Sequence, residues 1–559
     1  MRPPFLAAGE LPRVMIWSLV VVLVILAPYA FAYGVLDGPD WHFMGHLYAV
    51  DEGGAYMTWA RQAAEGHWAF ENRYTTEPGR RLFVNALLLA WGKMARLLHV
   101  APIAVLQASR LISGWACLVS VYLLASLLFE QRLAGGGALP TAAFSSGLGW
   151  LFFLIDPYMK VRCVDFGLGL IQPEAVTFVA VSVNALFSTS MALMTLVFFF
   201  FLWGLRTDNL RITMWAGLCA LVLGNVHTYD VLIYGGVIGV YVVCAAAGKE
   251  APWQQLARHA AIVFAAALPG PLWAAYTIYA DPIYAAKANV ALASFPPLTY
   301  VASYGLLLLL AVIGAIHVLL RHRPGQLLLV AWLLVGILLP YFPGPWPPWK
   351  RKLFEGFHIC LALLAVAAIC YVIAPGLRRV LERRGQASAA AGPLLLTVFL
   401  AVTVPSNAFF VWDCVRNLLT NNERLLPYNM PPLFLTGEEW DAMKWLEANA
   451  EPEAVVLSSN FMGNHIPVVS GRRVYCGHWG ETLDYVRKLK QVRQFYAGLE
   501  REMAREKLLR VSGASYVFES DYERAIAGAF RDPLEPEPSL RLVYENDEVR
   551  IYRVISSAL

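Results

Sequence analysis

The chain has 559 residues, of which 58% are hydrophobic and 15% are Asp, Glu, Lys or Arg, against about 25% charged residues in soluble domains. A net charge of +4 does not indicate a nucleic-acid surface, and apolar stretches long enough to cross a bilayer recur up to residue 412. These features exclude an ordinary soluble protein and predict a polytopic α-helical membrane protein, embedded in a lipid bilayer and with no nucleic-acid partner.

Basic loops predict how the spans are oriented. Short loops at 206–211, 249–259, 321–323 and 378–384 are rich in Lys and Arg, which favours the cytoplasmic side. If the N-terminus is cytoplasmic, these loops fall on the cytoplasmic side only if the weakly hydrophobic stretch at 166–186 also crosses the membrane. The sequence therefore predicts about thirteen transmembrane helices, at 14–34, 82–99, 103–129, 139–155, 166–186, 188–205, 213–227, 229–247, 258–278, 298–320, 326–342, 353–374 and 391–412.

A polar loop at 35–81 follows the first span and is expected outside the membrane. Within it, a helix is predicted from Asp51 to Gly66, with Tyr56 and Trp59 on an apolar face. Such a helix is expected to lie flat at the membrane surface. Asp51 is expected to be its N-cap, and a cap is compatible with catalysis because it fixes the position of a carboxylate.

After residue 412 the composition becomes strongly charged, which predicts a soluble domain at 413–559. Thr436-Gly-Glu-Glu439 predicts a capping box that begins a helix, and Glu481–Arg510 predicts one long charged helix. Strands alternating with helices predict a small α/β domain, which the topology places on the extracytoplasmic side. The predicted strands are 454–458, 473–476, 515–518 and a hairpin of 542–544 with 549–552.

Residues near the start of the first loop resemble a known family. Asp51-Glu52, Ala55-Tyr56, Trp59-Ala60-Arg61-Gln62 and Gly66-His67-Trp68 are similar to the first external loop of GT-C glycosyltransferases. The likeness is strongest to the protein O-mannosyltransferase and aminoarabinose-transferase branch, which also has a stretch similar to Arg110-Leu-Ile-Ser113. The loop contains no Asp-x-Asp pair, so it resembles the metal-dependent oligosaccharyltransferases less.

This resemblance implies an inverting glycosyltransferase that moves a sugar from a polyprenyl-phosphate donor to an acceptor hydroxyl at the outer face of a bacterial-type plasma (inner) membrane. It implies that Asp51 is the general base. Glu52 would orient Asp51, bind the acceptor or raise the pKa of Asp51. The acceptor stays open between a glycan, a lipid and a protein. A divalent cation is not favoured, because the loop histidines match no standard metal spacing.

The polyprenyl phosphate gains negative charge as it leaves the sugar, and nearby cations stabilise that charge. Lys350, Arg351 and Lys352 lie outside in the predicted topology, against the positive-inside trend, and are expected to bind the donor phosphate; pairing with lipid headgroups or with Glu355 is the alternative. His227 is a further phosphate candidate, oriented by Asp230, unless the two form a satisfied pair that joins two helices. The residues predicted to bind substrate are Tyr56, Asp230, Glu355, His358, His478 and Glu481.

Two other functions stay open from the sequence. A transporter or flippase of a lipid-linked or polar solute usually has ionisable groups near the bilayer midplane and inverted repeats, whereas here the charges concentrate at one face and no repeat is visible. The third hypothesis is an inactive scaffold that binds partners through its tail. The absence of a P-loop, a Rossmann glycine pattern and a Gly-x-Ser-x-Gly motif disfavours ATP-driven transport and serine hydrolysis.

Overall fold

The computed structural model describes residues 9–155, 172–321, 323–385, 389–422, 430–498, 502–527, 534 and 538–555. The chain forms two compact units. The first, here called the helical unit, comprises Met1–Ala27, Gln107–Tyr276 and Ala291–Asp413. The second, the mixed unit, comprises Pro28–Leu106, Thr277–Val290 and Cys414–Leu559.

Six helices in the described residues are long and apolar enough to cross a membrane, or up to eight spans if each of two bent helix pairs counts as one. The prediction of several apolar spans is thereby confirmed, whereas the number thirteen stays a prediction. The six are Pro102–Leu128, Ala185–Thr207, Asp230–Ala247, Trp253–Ala280, Lys350–Arg383 and Ala391–Thr420. The bent pairs are Glu10–Ile25 with Ala27–Leu36, and Pro297–Tyr304 with Leu306–Arg321. Shorter helices are Ala86–Leu98, Arg132–Phe144, Gly149–Ile155, Thr177–Val183, Leu210–Val226 and Leu327–Leu338.

Two predicted spans contain a bend or lie partly outside the described residues. The predicted span at 298–320 consists of two helices, and the chain bends by 92° between them. The bend lies at Gly305, which has a φ of 46°, a conformation that glycine adopts readily. Much of the predicted crossing at 166–186 lies outside the described residues, and its described part contains a 3-10 turn, Pro173–Ala175, and the Thr177–Val183 helix.

Close backbone packing joins helices of the helical unit. A Cβ atom on Gly314 would overlap the carbonyl oxygen of Leu364, so the Leu306–Arg321 helix lies directly against the Phe357–Ala368 helix. Small residues allow this approach where hydrophobic burial cannot drive association in lipid. These two helices are therefore held together by close packing of their backbones.

The mixed unit contains a five-stranded sheet in which three strands are parallel and two form an antiparallel hairpin. Its strands lie at the predicted positions, and the capping box is confirmed, since the Thr436 hydroxyl and the Glu439 carboxylate each accept a backbone N–H of the other at 3.1 Å. The helix it begins is Gly437–Asn449. In spatial order the strands are Arg473–Val474, Val455–Leu457, Tyr516–Glu519, Arg550–Val554 and Leu540–Glu545.

The predicted long helix at Glu481–Arg510 is wrong. Two helices, Tyr485–Ala497 and Glu502–Ser512, take its place. The first ends at Gly498, whose φ of 62° is left-handed. A glycine in this conformation commonly ends a helix. The described residues of the unit also contain the Asn460–Val469 and Asp521–Ala527 helices.

Three segments distant in sequence fold together in the mixed unit. Strand Trp41–Phe43 pairs antiparallel with Phe434–Thr436, so the first loop and the tail share a small sheet. The hydroxyl of Tyr284 donates to the carbonyl of Phe70 at 3.1 Å, which ties residues 277–290 to the same loop. The predicted boundary between residues 412 and 413 separates the part expected in the membrane from the part expected in water. The two compact units do not test that boundary, and it stays a prediction.

Helix Val50–Glu65 is close to its predicted bounds, and Gly66 ends it. Its apolar face is not exposed toward lipid as predicted, because Trp59 and its apolar neighbours are buried inside the mixed unit; its place at the membrane surface stays a prediction. A Cβ on Gly92 would overlap the carbonyl of Ala60, so the Ala86–Leu98 helix covers that face. The N-cap prediction is also wrong: Ala49 occupies the cap, and Asp51 lies in the first turn.

Candidate functional site

Two adjacent carboxylates occupy the first turn of the Val50–Glu65 helix. Asp51 is 3% exposed, whereas 37% of the Glu52 side chain is exposed. Acidic residues in a first helical turn interact favourably with the helix dipole. The pair therefore combines an enclosed carboxylate with one at the edge of the same site.

His478 faces both carboxylates from the tail. Its Nε2 lies 3.9 Å from Oδ2 of Asp51 and 4.0 Å from Oε1 of Glu52, both beyond direct hydrogen-bond distance. His478 is 2% exposed, and its Nε2 has no hydrogen-bond partner among the described residues. The structure thus brings together three of the residues that the sequence predicts for the site.

A tight turn fixes the His478 ring. Its Nδ1 accepts the backbone N–H groups of Gly480 at 2.9 Å and of Glu481 at 3.1 Å. The hydroxyl of Thr482 accepts from the N–H of Gly477 at 3.1 Å and donates to the carbonyl of Tyr74 at 2.9 Å. The Thr482 hydroxyl therefore closes the turn and anchors it to the first loop at Tyr74.

Backbone contact also places this turn. A Cβ on Gly463 would overlap the carbonyl oxygen of Cys476. The Asn460–Val469 helix therefore lies directly against the residues that precede His478. The hydroxyl of Tyr74 lies 3.0 Å from the Thr58 hydroxyl and donates to the carbonyl of Asn464 at 3.2 Å, so it bridges the Val50–Glu65 and Asn460–Val469 helices.

Burial raises the pKa of Asp51, because it removes the carboxylate from water. His478 lowers that pKa, and the negative charge of Glu52 raises it again. Oδ1 of Asp51 has no hydrogen-bond partner in the part of the chain that the structure describes. An enclosed carboxylate with an open oxygen and an increased affinity for a proton is suited to general-base chemistry.

Glu481 and Tyr56 lie in the same unit. The Glu481 carboxylate pairs with Lys287 and is 5% exposed, and the Lys287 ammonium lies 4.7 Å from the centre of the Trp59 ring. Tyr56 is half-buried one turn along the helix from the carboxylates. Substrate binding by Glu481 and Tyr56 stays a prediction. Lys287 is not among the predicted site residues, since only the fold brings it to Glu481.

In the helical unit, His227 and Asp230 form the pair that the sequence suggests. His227 Nδ1 lies 3.0 Å from Oδ1 of Asp230, and both residues are buried. They join the ends of the Leu210–Val226 and Asp230–Ala247 helices. The second oxygen of Asp230 has no hydrogen-bond partner among the described residues, so the pair retains an open acceptor.

The basic segment 350–352 approaches this pair through Tyr229. The Tyr229 ring lies 4.3 Å from that of Trp349, and the Lys352 ammonium lies 5.2 Å from the Tyr229 ring. Lys350 instead donates to the carbonyls of Phe342 and Gly344 at 2.7 and 2.6 Å. The three basic residues are therefore not equivalent.

Arg351, Glu355 and His358 are placed differently from one another. Nε of Arg351 is buried with no hydrogen-bond partner among the described residues. Glu355 accepts from the Ser190 hydroxyl at 2.9 Å and keeps its other oxygen unpartnered within the described part. His358 uses Nδ1 with Thr177 at 2.9 Å and Nε2 with the carbonyl of Ser145. Arg351 and Glu355 thus retain open polar atoms, whereas both ring nitrogens of His358 are occupied.

Across the described ranges, no group of three or more His, Cys, Asp or Glu side chains has an arrangement that could hold a metal ion.

Several solved structures share the fold of this chain. AglB, the archaeal oligosaccharyltransferase from Archaeoglobus fulgidus, solved with an inhibitory peptide and a dolichol-phosphate, has a TM-score of 0.54 over 90% of this chain and 69% of its own, at 13% identity. ArnT from Cupriavidus metallidurans, bound to undecaprenyl phosphate, has 0.52 over 99% of both chains, at 13% identity.

The arabinofuranosyltransferase AftD from Mycobacteria has a TM-score of 0.53 over 99% of this chain but only 40% of its own, at 14% identity. No family model matches the chain, and no curated protein does. At 13–14% identity, the likeness to AglB, ArnT and AftD shows a shared fold, as the resemblance of the first-loop motifs to GT-C glycosyltransferases predicts.

Proposed function

We propose that this protein is an inverting glycosyltransferase that moves a sugar from a polyprenyl-phosphate donor to an acceptor hydroxyl. The observation that carries the proposal is the enclosed Asp51, with an open oxygen beside Glu52 and His478. Support also comes from the fold, because AglB and ArnT were solved with dolichol-phosphate and undecaprenyl phosphate. Fold alone does not define an activity, so the site carries the argument.

The proposed reaction is a single displacement. The acceptor oxygen forms a bond to the anomeric carbon while the bond from that carbon to the phosphate oxygen breaks. The hydroxyl proton passes to Asp51, and the electron pair leaves with the polyprenyl phosphate. Because one displacement occurs, the anomeric configuration inverts, and positive charge develops on the sugar ring as in glycoside hydrolysis.

Glu52 has two roles in this scheme. Its charge raises the pKa of Asp51, which strengthens the base. Its half-exposed carboxylate is also proposed to bind the acceptor molecule at the edge of the site. Tyr56 and Glu481 are proposed to bind the sugar or the acceptor around this pair. The acceptor is proposed to be a glycan, lipid or protein hydroxyl.

Within the helical unit, Arg351, Lys352 and His227 are proposed to receive the donor phosphate, because a leaving phosphate needs positive charge and hydrogen-bond donors. Lys350 is proposed to contribute less, since two carbonyls already bind its ammonium. Asp230 is proposed to orient His227, and Asp230, Glu355 and His358 are proposed to bind substrate. No step is routed through a metal ion.

The proposed location is a plasma membrane with the N-terminus in the cytoplasm. Residues 1–412 would contain about thirteen spans, with the catalytic loop 35–81 outside. Residues 413–559 would form the extracytoplasmic domain. The predominance of Lys and Arg in the loops assigned to the cytoplasm supports this orientation.

Donor turnover tests the proposed reaction. The purified chain in lipid nanodiscs is incubated with undecaprenyl phosphates that carry mannose, glucose, arabinose or aminoarabinose, together with alkyl glycosides as acceptors. Mass spectrometry follows undecaprenyl phosphate, and NMR follows the anomeric configuration of the product. Release from at least one donor with inversion is expected, whereas retention would contradict the single displacement.

A transporter of a lipid-linked solute is the second candidate. The buried Asp230, Glu355 and Glu174 carboxylates of the helical unit, each with an oxygen unpartnered in the described residues, favour it, because ionisable groups at membrane depth often mark pathways. It predicts movement of a labelled donor across a vesicle membrane with no release of undecaprenyl phosphate.

A further inference from the structure

The tautomer of His478 follows from its turn. Backbone N–H groups only donate, so Nδ1 of His478, which receives two of them from Gly480 and Glu481, acts as an acceptor. A neutral imidazole then carries its proton on Nε2. A proton on Nδ1 would oppose both N–H groups, so the turn presents Nε2–H as a fixed donor.

That donor lies close to both carboxylates, beyond direct hydrogen-bond distance. Nε2 lies 3.9 Å from Oδ2 of Asp51 and 4.0 Å from Oε1 of Glu52. An oxygen placed about 2.8 Å from both Nε2 and Oδ2 would hold its two hydrogen-bond partners at roughly 90° to each other. The separation of these two atoms therefore suits a hydroxyl oxygen that accepts from the imidazole and donates to Asp51.

We propose that His478 positions the acceptor hydroxyl by donating Nε2–H to its oxygen. The hydroxyl proton is then directed at Asp51, and a second lone pair of the same oxygen remains for the anomeric carbon. His478 is thus a positioning residue, and this role rests on the proposed glycosyl transfer.

The arrangement also selects the chemical class of the acceptor. An alcohol oxygen can accept from His478 while it donates to Asp51. A carboxamide nitrogen has two N–H donors and no lone pair available for Nε2–H, so it would leave the buried donor unsatisfied, which is costly. The site is therefore expected to use hydroxyl acceptors and to reject amide nitrogen.

Two substitutions separate positioning from structure. His478→Asn keeps an acceptor oxygen near the Nδ1 position for the turn and removes the distal donor. His478→Gln supplies an amide N–H near the Nε2 position. His67→Asn is the matched control, since His67 lies in the same unit outside the carboxylate site. Each variant is assayed in nanodiscs with the undecaprenyl-phosphate sugars, with octyl glucoside or octanamide as acceptor, and its melting temperature is recorded.

His478→Asn is expected to lower turnover with octyl glucoside by about tenfold, largely through the KM for the acceptor, without a change in melting temperature. His478→Gln is expected to recover part of the loss, His67→Asn to match wild type, and octanamide to be inactive. Activity of His478→Asn within twofold of wild type would overturn this inference and leave the glycosyl transfer intact. Equal losses in both variants with lowered melting temperatures, or transfer to octanamide, would also overturn it. Inactivity of the wild type with every donor would overturn both proposals.

Discussion

At the scale of single residues, the site depends on how the ionisation of Asp51 is controlled. Burial raises its pKa, His478 opposes that change, and Glu52 reinforces it. A base acts only when ionised, and it is most effective when its pKa lies near the working pH. The neighbouring carboxylate thus strengthens the base while it restricts activity at low pH.

Glu52→Gln tests this coupling. Removal of the neighbouring negative charge is expected to lower the pKa of Asp51, so the acidic limb of the kcat/KM profile moves to lower pH. Glu52→Asp, which retains the charge, is the control and is expected to keep the limb closer to that of wild type. A limb that moves to higher pH in Glu52→Gln would show that Glu52 does not raise the pKa of Asp51.

At the scale of elements, close backbone packing places the His478 turn. Gly463 of the Asn460–Val469 helix leaves no space for a Cβ against the carbonyl of Cys476. The backbone on both sides is held by hydrogen bonds, so it cannot yield as a flexible side chain would. A small change in this helix is therefore transmitted to the imidazole.

Gly463→Ala is expected to destabilise the protein by about 1–3 kcal/mol, as overpacking in a dense region does, and to reduce turnover. Thermal unfolding and the nanodisc assay measure the two effects. Gly38→Ala is the control, since a Cβ there meets nothing within 4 Å. Normal turnover in Gly463→Ala would show that the turn position is not set by this contact.

The elements also show what the sequence can predict. The capping box at Thr436 and the short strands depend on local patterns, and the structure has them where predicted. The helix break at Gly498 and the bend at Gly305 were not predicted, because a glycine within a helical pattern is compatible with both continuation and termination. The sequence of Val50–Glu65 shows an apolar face, but it does not indicate whether protein or lipid covers that face.

For the site too, local sequence patterns predict some residues and not others. Asp51, Glu52 and His478 were predicted from their residue types and motifs, and the structure brings them together. Lys287 and Tyr74 reach Glu481 and the His478 turn only through the fold. Since their sequence neighbours carry no chemical motif, no local pattern could identify them.

At the scale of the whole molecule, the mixed unit joins the first loop to the tail through charge. Glu71 in the loop pairs with Arg81 at 3.0 Å and with Arg473 of the tail at 2.8 Å. The Glu71 side chain is 10% exposed, so its ion pairs are weakly screened. Removal of Glu71 leaves the Arg81 guanidinium without this carboxylate and leaves Arg473, within the described residues, with only the exposed Glu453 as an ion-pair partner.

Glu71→Gln is expected to destabilise the protein by about 1–3 kcal/mol and to make the first loop more susceptible to limited proteolysis. Glu453→Gln is the control, because Glu453 also pairs with Arg473 but its side chain is 72% exposed. Exposed pairs contribute roughly 0–1 kcal/mol. Equal behaviour of the two variants would contradict a role for Glu71 in joining these segments.

The most direct test of Asp51 as the general base is the rate of undecaprenyl-phosphate release by Asp51→Asn in nanodiscs, measured on the donor that the wild type uses. Asp40→Asn, in the same loop and exposed, is the matched control, and melting temperatures confirm folding. We expect Asp51→Asn to lose at least about 100-fold in rate while Asp40→Asn retains the wild-type rate. Release by folded Asp51→Asn at the wild-type rate would contradict the proposed mechanism.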